Sequence, residues 1–123
     1  MRLEATEHDH QVALFQWAAR FQKALPALAM LFAIPNGGAR HIATARRLKA
    51  EGVKPGVPDL MMPVARGGHH GLFIELKAKG GRATPEQSGW LERLRAQGYC
   101  AAVCVGWDSA RALIENYLRG EPV

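Results

Sequence analysis

Two short apolar stretches that carry acids constrain this chain most: Gly56-Val57-Pro58-Asp59-Leu60-Met61-Met62 and Gly71-Leu72-Phe73-Ile74-Glu75-Leu76-Lys77. Each reads as a strand bounded by Gly or Pro. Each also places a carboxylate where a buried strand should be apolar. Glu75 and Lys77 stand two residues apart, so on a strand they share a face. Residues 64–70 (Val-Ala-Arg-Gly-Gly-His-His) form the connecting loop, and a hairpin connection makes the two strands antiparallel neighbours. Asp59 then sits beside Glu75, with Lys77 next along. Two carboxylates held together repel unless a proton or a cation lies between them. The lysine adds a fixed positive charge. That set suits a divalent cation, an attacking water and a phosphate gaining charge, which is the chemistry of a metal-dependent phosphodiesterase.

The rest of the chain offers a frame for these strands. Residues 6 to about 24 read as a helix, with Thr6 and Asp9 spaced as a capping box and Pro26 as the stop. Leu14, Trp17, Ala18, Phe21 and Leu25 recur at helical spacing and form its core face, and Glu7 and Gln11 extend that stripe. Residues 30–34 form a short apolar strand, and Pro35-Asn36-Gly37-Gly38 a turn. Residues 39–51 read as a helix, basic outside and closed by Gly52. Thr84-Pro85-Glu86-Gln87 opens another helix as cap, first-turn proline and box partner; Trp90, Leu91 and Leu94 form its buried face. Residues 100–105 are continuously apolar, as in a fully buried strand. Asp108 is placed to cap a last helix through Leu118. The order is helix, strand, helix, strand, strand, helix, strand, helix. It predicts a single α/β domain over residues 1–123, with a central mixed sheet covered by helices on both faces.

Charge is distributed in step with the acidic strands. Residues 40–54 hold Arg40, Arg46, Arg47, Lys49 and Lys54 against Glu51 alone, and residues 66–82 hold Arg66, Lys77, Lys79 and Arg82 against Glu75 alone. Basic flanks on either side of an acidic site suit a polyanion lying across it. The overall formal charge is +5, and 48% hydrophobic content marks an ordinary globular chain rather than a disordered one. The cysteines, Cys100 and Cys104, would lie about 13 Å apart on one strand, too far for a disulfide. No signal peptide or apolar run of membrane-spanning length stands out. These features point to the cytoplasm and to no membrane partner.

At these residues the chain resembles a known family. Pro58-Asp59 with Glu75-Leu76-Lys77 looks like the signature of the PD-(D/E)XK nuclease superfamily. Asn36-Gly37-Gly38, the run from Gly52 through Asp59, Pro85-Glu86-Gln87 with Trp90, and Gly98-Tyr99 resemble its VRR-NUC (virus-type replication-repair nuclease) branch. The resemblance spans residues 7–118. It implies a restriction-endonuclease-like fold and Mg²⁺- or Mn²⁺-dependent DNA cleavage. It also implies a homodimer of phage or prophage type acting on branched DNA such as four-way junctions. By the same resemblance Asp59 and Glu75 are metal ligands with the Leu76 carbonyl, and Lys77 is the catalytic lysine. Gln87 is the helix glutamine, and Glu7, or the nearby Glu4, is the acid of the first helix. DNA is expected to meet Asn36, Arg40, Arg46, Arg47, Lys54, Lys79 and Arg82.

Each of these residues has a plainer role open to it. Asp59 suits a turn after proline, and Glu75 with Lys77 suits a surface ion pair. Gln87 suits the capping box of Thr84, and Glu7 the positive end of its own helix. His69 and His70 sit in the hairpin loop, where a phosphate or solvent contact is expected. His8 and His10 are expected to be exposed, and Trp17 and Trp90 to be core. From another class, a non-catalytic nucleic-acid-binding module would use the basic flanks, yet has no use for two acids facing a phosphate. A small-molecule metal hydrolase would not call for flanks this basic.

Overall fold

The computed structural model of the chain describes residues 4–35 and 42–123. The expected Asn36-Gly37-Gly38 turn, the start of the helix from residue 39, and the candidate contacts Asn36 and Arg40 lie outside the described residues. Helix α1 spans Glu7–Phe21, β1 Phe32–Ala33, α2 Ile42–Ala50, β2 Leu60–Met62, β3 Leu72–Lys77, α3 Pro85–Ala96, β4 Cys100–Val105 and α4 Trp107–Leu118.

The four strands form one mixed sheet in the order β1-β2-β3-β4. The β1/β2 and β2/β3 pairs are antiparallel, and β3/β4 is parallel. The hairpin reading of the acidic strands therefore holds, with Leu60 opposite Ile74 and Met62 opposite Leu72. Because side chains alternate along β3, its residues serve two layers. Leu72, Ile74 and Leu76 enter the larger core with Leu14 and Ala18 of α1 and Ala110, Ile114 and Tyr117 of α4. Phe73 points the other way and packs with Leu91 of α3 and Ala101 of β4. Helices thus cover both faces of the sheet. Burying a Leu or Ile side chain contributes about 1.5–3 kcal/mol, so these layers hold β3 in place along its whole length. No helix of the described residues is long and apolar enough to cross a membrane.

The capping boxes form as their spacing predicts. Thr6 Oγ1 accepts the Asp9 N–H at 3.1 Å and Asp9 Oδ2 accepts the Thr6 N–H at 2.9 Å. Helix α1 stops at Phe21 rather than residue 24, and Pro26 opens a 3₁₀ helix, Pro26–Met30. Met30 therefore precedes β1 instead of starting it, and Phe21 turns out 45% exposed. Strand β2 begins only at Leu60, because the chain before it is a loop laid on α3. Gly56 has φ +85°, and a Cβ there would come within 2.8 Å of the Glu86 backbone. Trp90, expected in the core, is instead half-buried; its Nε1 donates to the Pro55 carbonyl at 3.1 Å and ties the loop down. Trp17 is half-buried as well, packed against the larger core.

Two expectations at the end of the chain are corrected. Strand β4 is the sheet's edge, not a fully buried strand, and Val103 and Val105 are exposed. Asp108 does not cap α4: Gly106 occupies the cap position, α4 starts at Trp107, and Asp108 lies inside the first turn.

Candidate active site

The acids and the lysine gather where β3 ends. The register that sets Leu60 against Ile74 brings Asp59 level with the last residues of β3. Its Oδ2 accepts the Leu76 N–H at 2.9 Å, so Asp59 continues the ladder with a side chain in place of backbone. Strand alternation puts Glu75 and Lys77 on the face that α3 covers, beside Phe73. There Lys77 Nζ lies 3.3 Å from Glu75 Oε2, and Gln87 of α3 donates from Nε2 to the same oxygen at 3.2 Å. Glu75 is 1% exposed and Lys77 7%, which sets them apart from a solvated surface ion pair. Helix α1 completes the group from the side. Glu7, Asp59 and Glu75 each offer a carboxylate oxygen, and the three atoms lie within 4.8 Å of one another. Glu4 is exposed and is not in this group.

Electrostatics mark the site as incomplete with protein atoms alone. Burial, and after it the neighbouring Asp59 carboxyl, pushes Glu75 up to about 8 from an ordinary 4.5, against the pull of Lys77. The other oxygen, Oε1, is buried with no hydrogen-bond partner among the described residues, an arrangement that costs about 1–3 kcal/mol or more for a charged group. A divalent cation fits the orphaned oxygen and the three carboxylates gathered around it, and among the described residues this all-oxygen donor set, without thiolate or imidazole, suits Mg²⁺ or Mn²⁺ chemistry. The Leu76 carbonyl also faces this side. Lys77 O accepts the Gly106 N–H at 2.8 Å on the β4 side, so alternation turns the N–H and C=O of Leu76 toward β2 and Asp59.

The described basic candidates are exposed rather than buried with this centre. Arg46, Arg47 and Lys49 are exposed on α2, a helix with no buried residue; Arg47 makes an exposed pair with Glu51 at 3.9 Å. Lys54 is exposed in the loop that leads to Asp59, and Lys79 and Arg82 are exposed in the segment between Lys77 and α3. His69 and His70 sit before β3, at the end opposite Glu75. The His70 ring meets Tyr99 edge-on at 5.7 Å and fills the space a side chain at Gly98 would need. His70 is also exposed to solvent.

One residue of consequence is not singled out by the motif pattern. His10 is half-buried, not exposed, and its Nδ1 accepts the Trp107 N–H at 3.2 Å. Its spacing of four from Leu14, on the buried stripe of α1, is the signal that places it inward.

Comparisons with known proteins bear on the family and the fold. The family profile described as "VRR-NUC domain" matches residues 3–108. A solved structure described as "VRR_NUC domain protein" is 35% identical, with a TM-score of 0.82 over 96% of this chain and 92% of that one. Among curated proteins, no match was found. The chain belongs to the VRR-NUC family, a nuclease-type domain.

Proposed function

We propose that this protein is a divalent-metal-dependent endonuclease that hydrolyses DNA phosphodiester bonds, acting on branched DNA such as four-way junctions and of phage or prophage type. The observation that carries the reading is the buried Glu75 Oε1, without a partner among the described residues, in a group of three carboxylates, with Lys77 Nζ 3.3 Å from the other oxygen of Glu75. Asp59, Glu75, Glu7 and the Leu76 carbonyl would hold the cation. When bound, Mg²⁺ or Mn²⁺ supplies Lewis acidity toward a phosphate oxygen and brings the pKa of water toward neutrality. Lys77 presents positive charge where negative charge grows on the phosphate, a fixed donor that needs no reorganisation during reaction. Gln87 holds Glu75 in its orientation from α3. Exposed Arg46, Arg47, Lys49, Lys54, Lys79 and Arg82 contact phosphates on either side, beyond the protein's acidic centre. Selectivity for a junction calls for two such sites in a homodimer, since one small site spans little DNA. Buried, unbridged Cys100 and Cys104 suit the reducing cytoplasm.

The test is cleavage of labelled linear, flapped and four-way DNA by purified protein with EDTA, Mg²⁺ or Mn²⁺. Cleavage only with metal, best on the junction, is expected. Asp59→Ala and Glu75→Ala should bind DNA and leave it intact. Wild-type turnover in either variant would overturn the assignment of the site, and binding without cleavage by the native protein would leave the non-catalytic module as the better reading.

A further inference from the structure

Glu7 brings its carboxylate to the site from a helix turn that has little to hold it there. The buried residues of α1 are Leu14 and Ala18, and Leu14 lies seven residues from Glu7, about 10 Å along the axis. The Thr6–Asp9 box closes the turn on itself without attaching it to the sheet. Helix ends fray when nothing beyond the helix engages them. Glu7 is exposed, as are His8 and Asp9.

His10 makes the attachment. It lies one turn after Glu7, and its Nδ1 accepts the N–H of Trp107 at 3.2 Å. That N–H belongs to the first turn of α4, whose cap residue Gly106 has no side chain to receive it, so the bond meets a real need at both ends. Gly106 in turn donates its N–H to the Lys77 carbonyl at 2.8 Å. A Cβ on Gly106 would lie 3.8 Å from His10 Cε1, so the ring sits beside the Gly106 position. Glu7 is thereby linked through one helical turn, one side-chain bond and one backbone bond to the strand that carries Glu75 and Lys77.

We infer that His10 is a positioning residue: it fixes the first turn of α1 against the β4–α4 junction and so sets the Glu7 carboxylate in place for the divalent cation. The inference rests on the proposed metal site and adds a residue that touches neither metal nor DNA. Groups behind a metal ligand govern affinity because a ligand that must first be ordered binds more weakly. Asn in place of His10 offers Oδ1 near the position of Nδ1 and should restore the bond; Ala cannot.

Mn²⁺ binding to metal-free protein, followed by the electron paramagnetic resonance of free Mn²⁺, tests this without reference to turnover. Wild type, His10→Ala, His10→Asn, Glu7→Gln and His10→Ala/Glu7→Gln are compared, with urea unfolding in EDTA for each. His10→Ala should weaken Mn²⁺ by about tenfold, His10→Asn should recover most of it, and His10→Ala should add little once Glu7 is Gln. Unchanged affinity in His10→Ala overturns the inference, even if its urea midpoint falls, because the histidine is then only a helix cap. A loss that simply adds to that of Glu7→Gln overturns it too, since His10 would not act through Glu7. Wild-type affinity in Glu7→Gln alone removes Glu7 from the proposed site, a separate failure of the functional reading that takes this inference with it.

Discussion

Gln87 bonds in two directions at once: its Nε2 donates to Glu75 Oε2 at 3.2 Å, and its Oε1 accepts the Thr84 N–H at 2.9 Å. The plain capping reading and the functional reading of this residue are therefore both met. The cap at the start of α3 aims the amide at the buried carboxylate. Stability and site geometry are coupled through a single side chain.

The two halves separate by mutation. Thr84→Ala removes the hydroxyl that accepts the Gln87 N–H at 3.2 Å but leaves Gln87 Nε2 a partner in Glu75. It should cost about 1 kcal/mol of stability with cleavage retained. Gln87→Glu keeps an acceptor for the Thr84 N–H yet replaces the donor with a second carboxylate. Its metal-free stability and its activity should both fall. Urea unfolding beside a cleavage assay checks the pair, and full activity in Gln87→Glu would reduce Gln87 to a cap.

Lys77→Met should keep Mn²⁺ binding and lose rate. The substitution retains the stem's volume in a position 7% exposed and removes the charge beside Glu75. A positioned electrostatic donor is worth a factor of about 10²–10³ in rate. A bound cation would itself neutralise the carboxylates, so binding should not depend on the ammonium. Calorimetric titration showing Mn²⁺ binding abolished would make Lys77 structural instead.

Metal-free stability should depend on pH through Glu75. Its carboxyl titrates near 8 in the folded chain, pushed up chiefly by burial and next by Asp59, against 4.5 for an ordinary glutamate. Below the ordinary value both folded and unfolded chains hold the proton, and nothing is lost. As pH rises toward 8 the unfolded chain releases it while the folded chain keeps it, so stability declines; it levels off once the folded chain ionises too. Urea midpoints in EDTA should therefore fall across this window, and Glu75→Gln should flatten the trend. Saturating Mn²⁺ should oppose it, because cation binding is favoured by loss of the same proton. A flat profile for the wild type would mean that Glu75 is ionised in the metal-free fold.

Much of this was legible in the residues because local chemistry and tertiary position agreed. Both capping boxes, the antiparallel acidic hairpin and the juxtaposition of Asp59, Glu75 and Lys77 follow from spacing alone. The edge position of β4 was not legible. An apolar run such as Cys-Ala-Ala-Val-Cys-Val reads as buried whether or not a further strand pairs with it, and only topology decides. Asp108 failed as a cap because Gly106, with φ +87°, turns the chain into α4 two residues earlier than its side chain requires. His10 was hidden by its type, since a polar residue near the start of a helix reads as exposed even where its spacing of four from Leu14 turns it inward, and its partner N–H lies 97 residues away in sequence. The shortened β2 has the same origin: Gly56 and Trp90 dock the loop on α3 through contacts that no local pattern encodes.

The basic helix supplies the last prediction. Arg46, Arg47 and Lys49 project from α2, which has no buried residue and so owes its exposed charges nothing for packing. The Arg47–Glu51 pair, 3.9 Å apart and open to solvent, contributes little that phosphate could not replace. If DNA lies along this helix on its way to Asp59, each cation releases condensed counterions on binding, and affinity falls steeply with salt. Replacing Arg46 and Arg47 together with Gln should weaken binding to linear and four-way DNA alike and flatten the logarithmic salt slope by about two units. The cutting positions on a junction should not move, because they are set by where the acids lie and not by the phosphate contacts around them. Fluorescence anisotropy across a salt series, with mapping of the cleavage products, measures both. An unchanged slope would take the DNA path off α2, and shifted cutting positions would make these arginines part of the geometry that selects the bond.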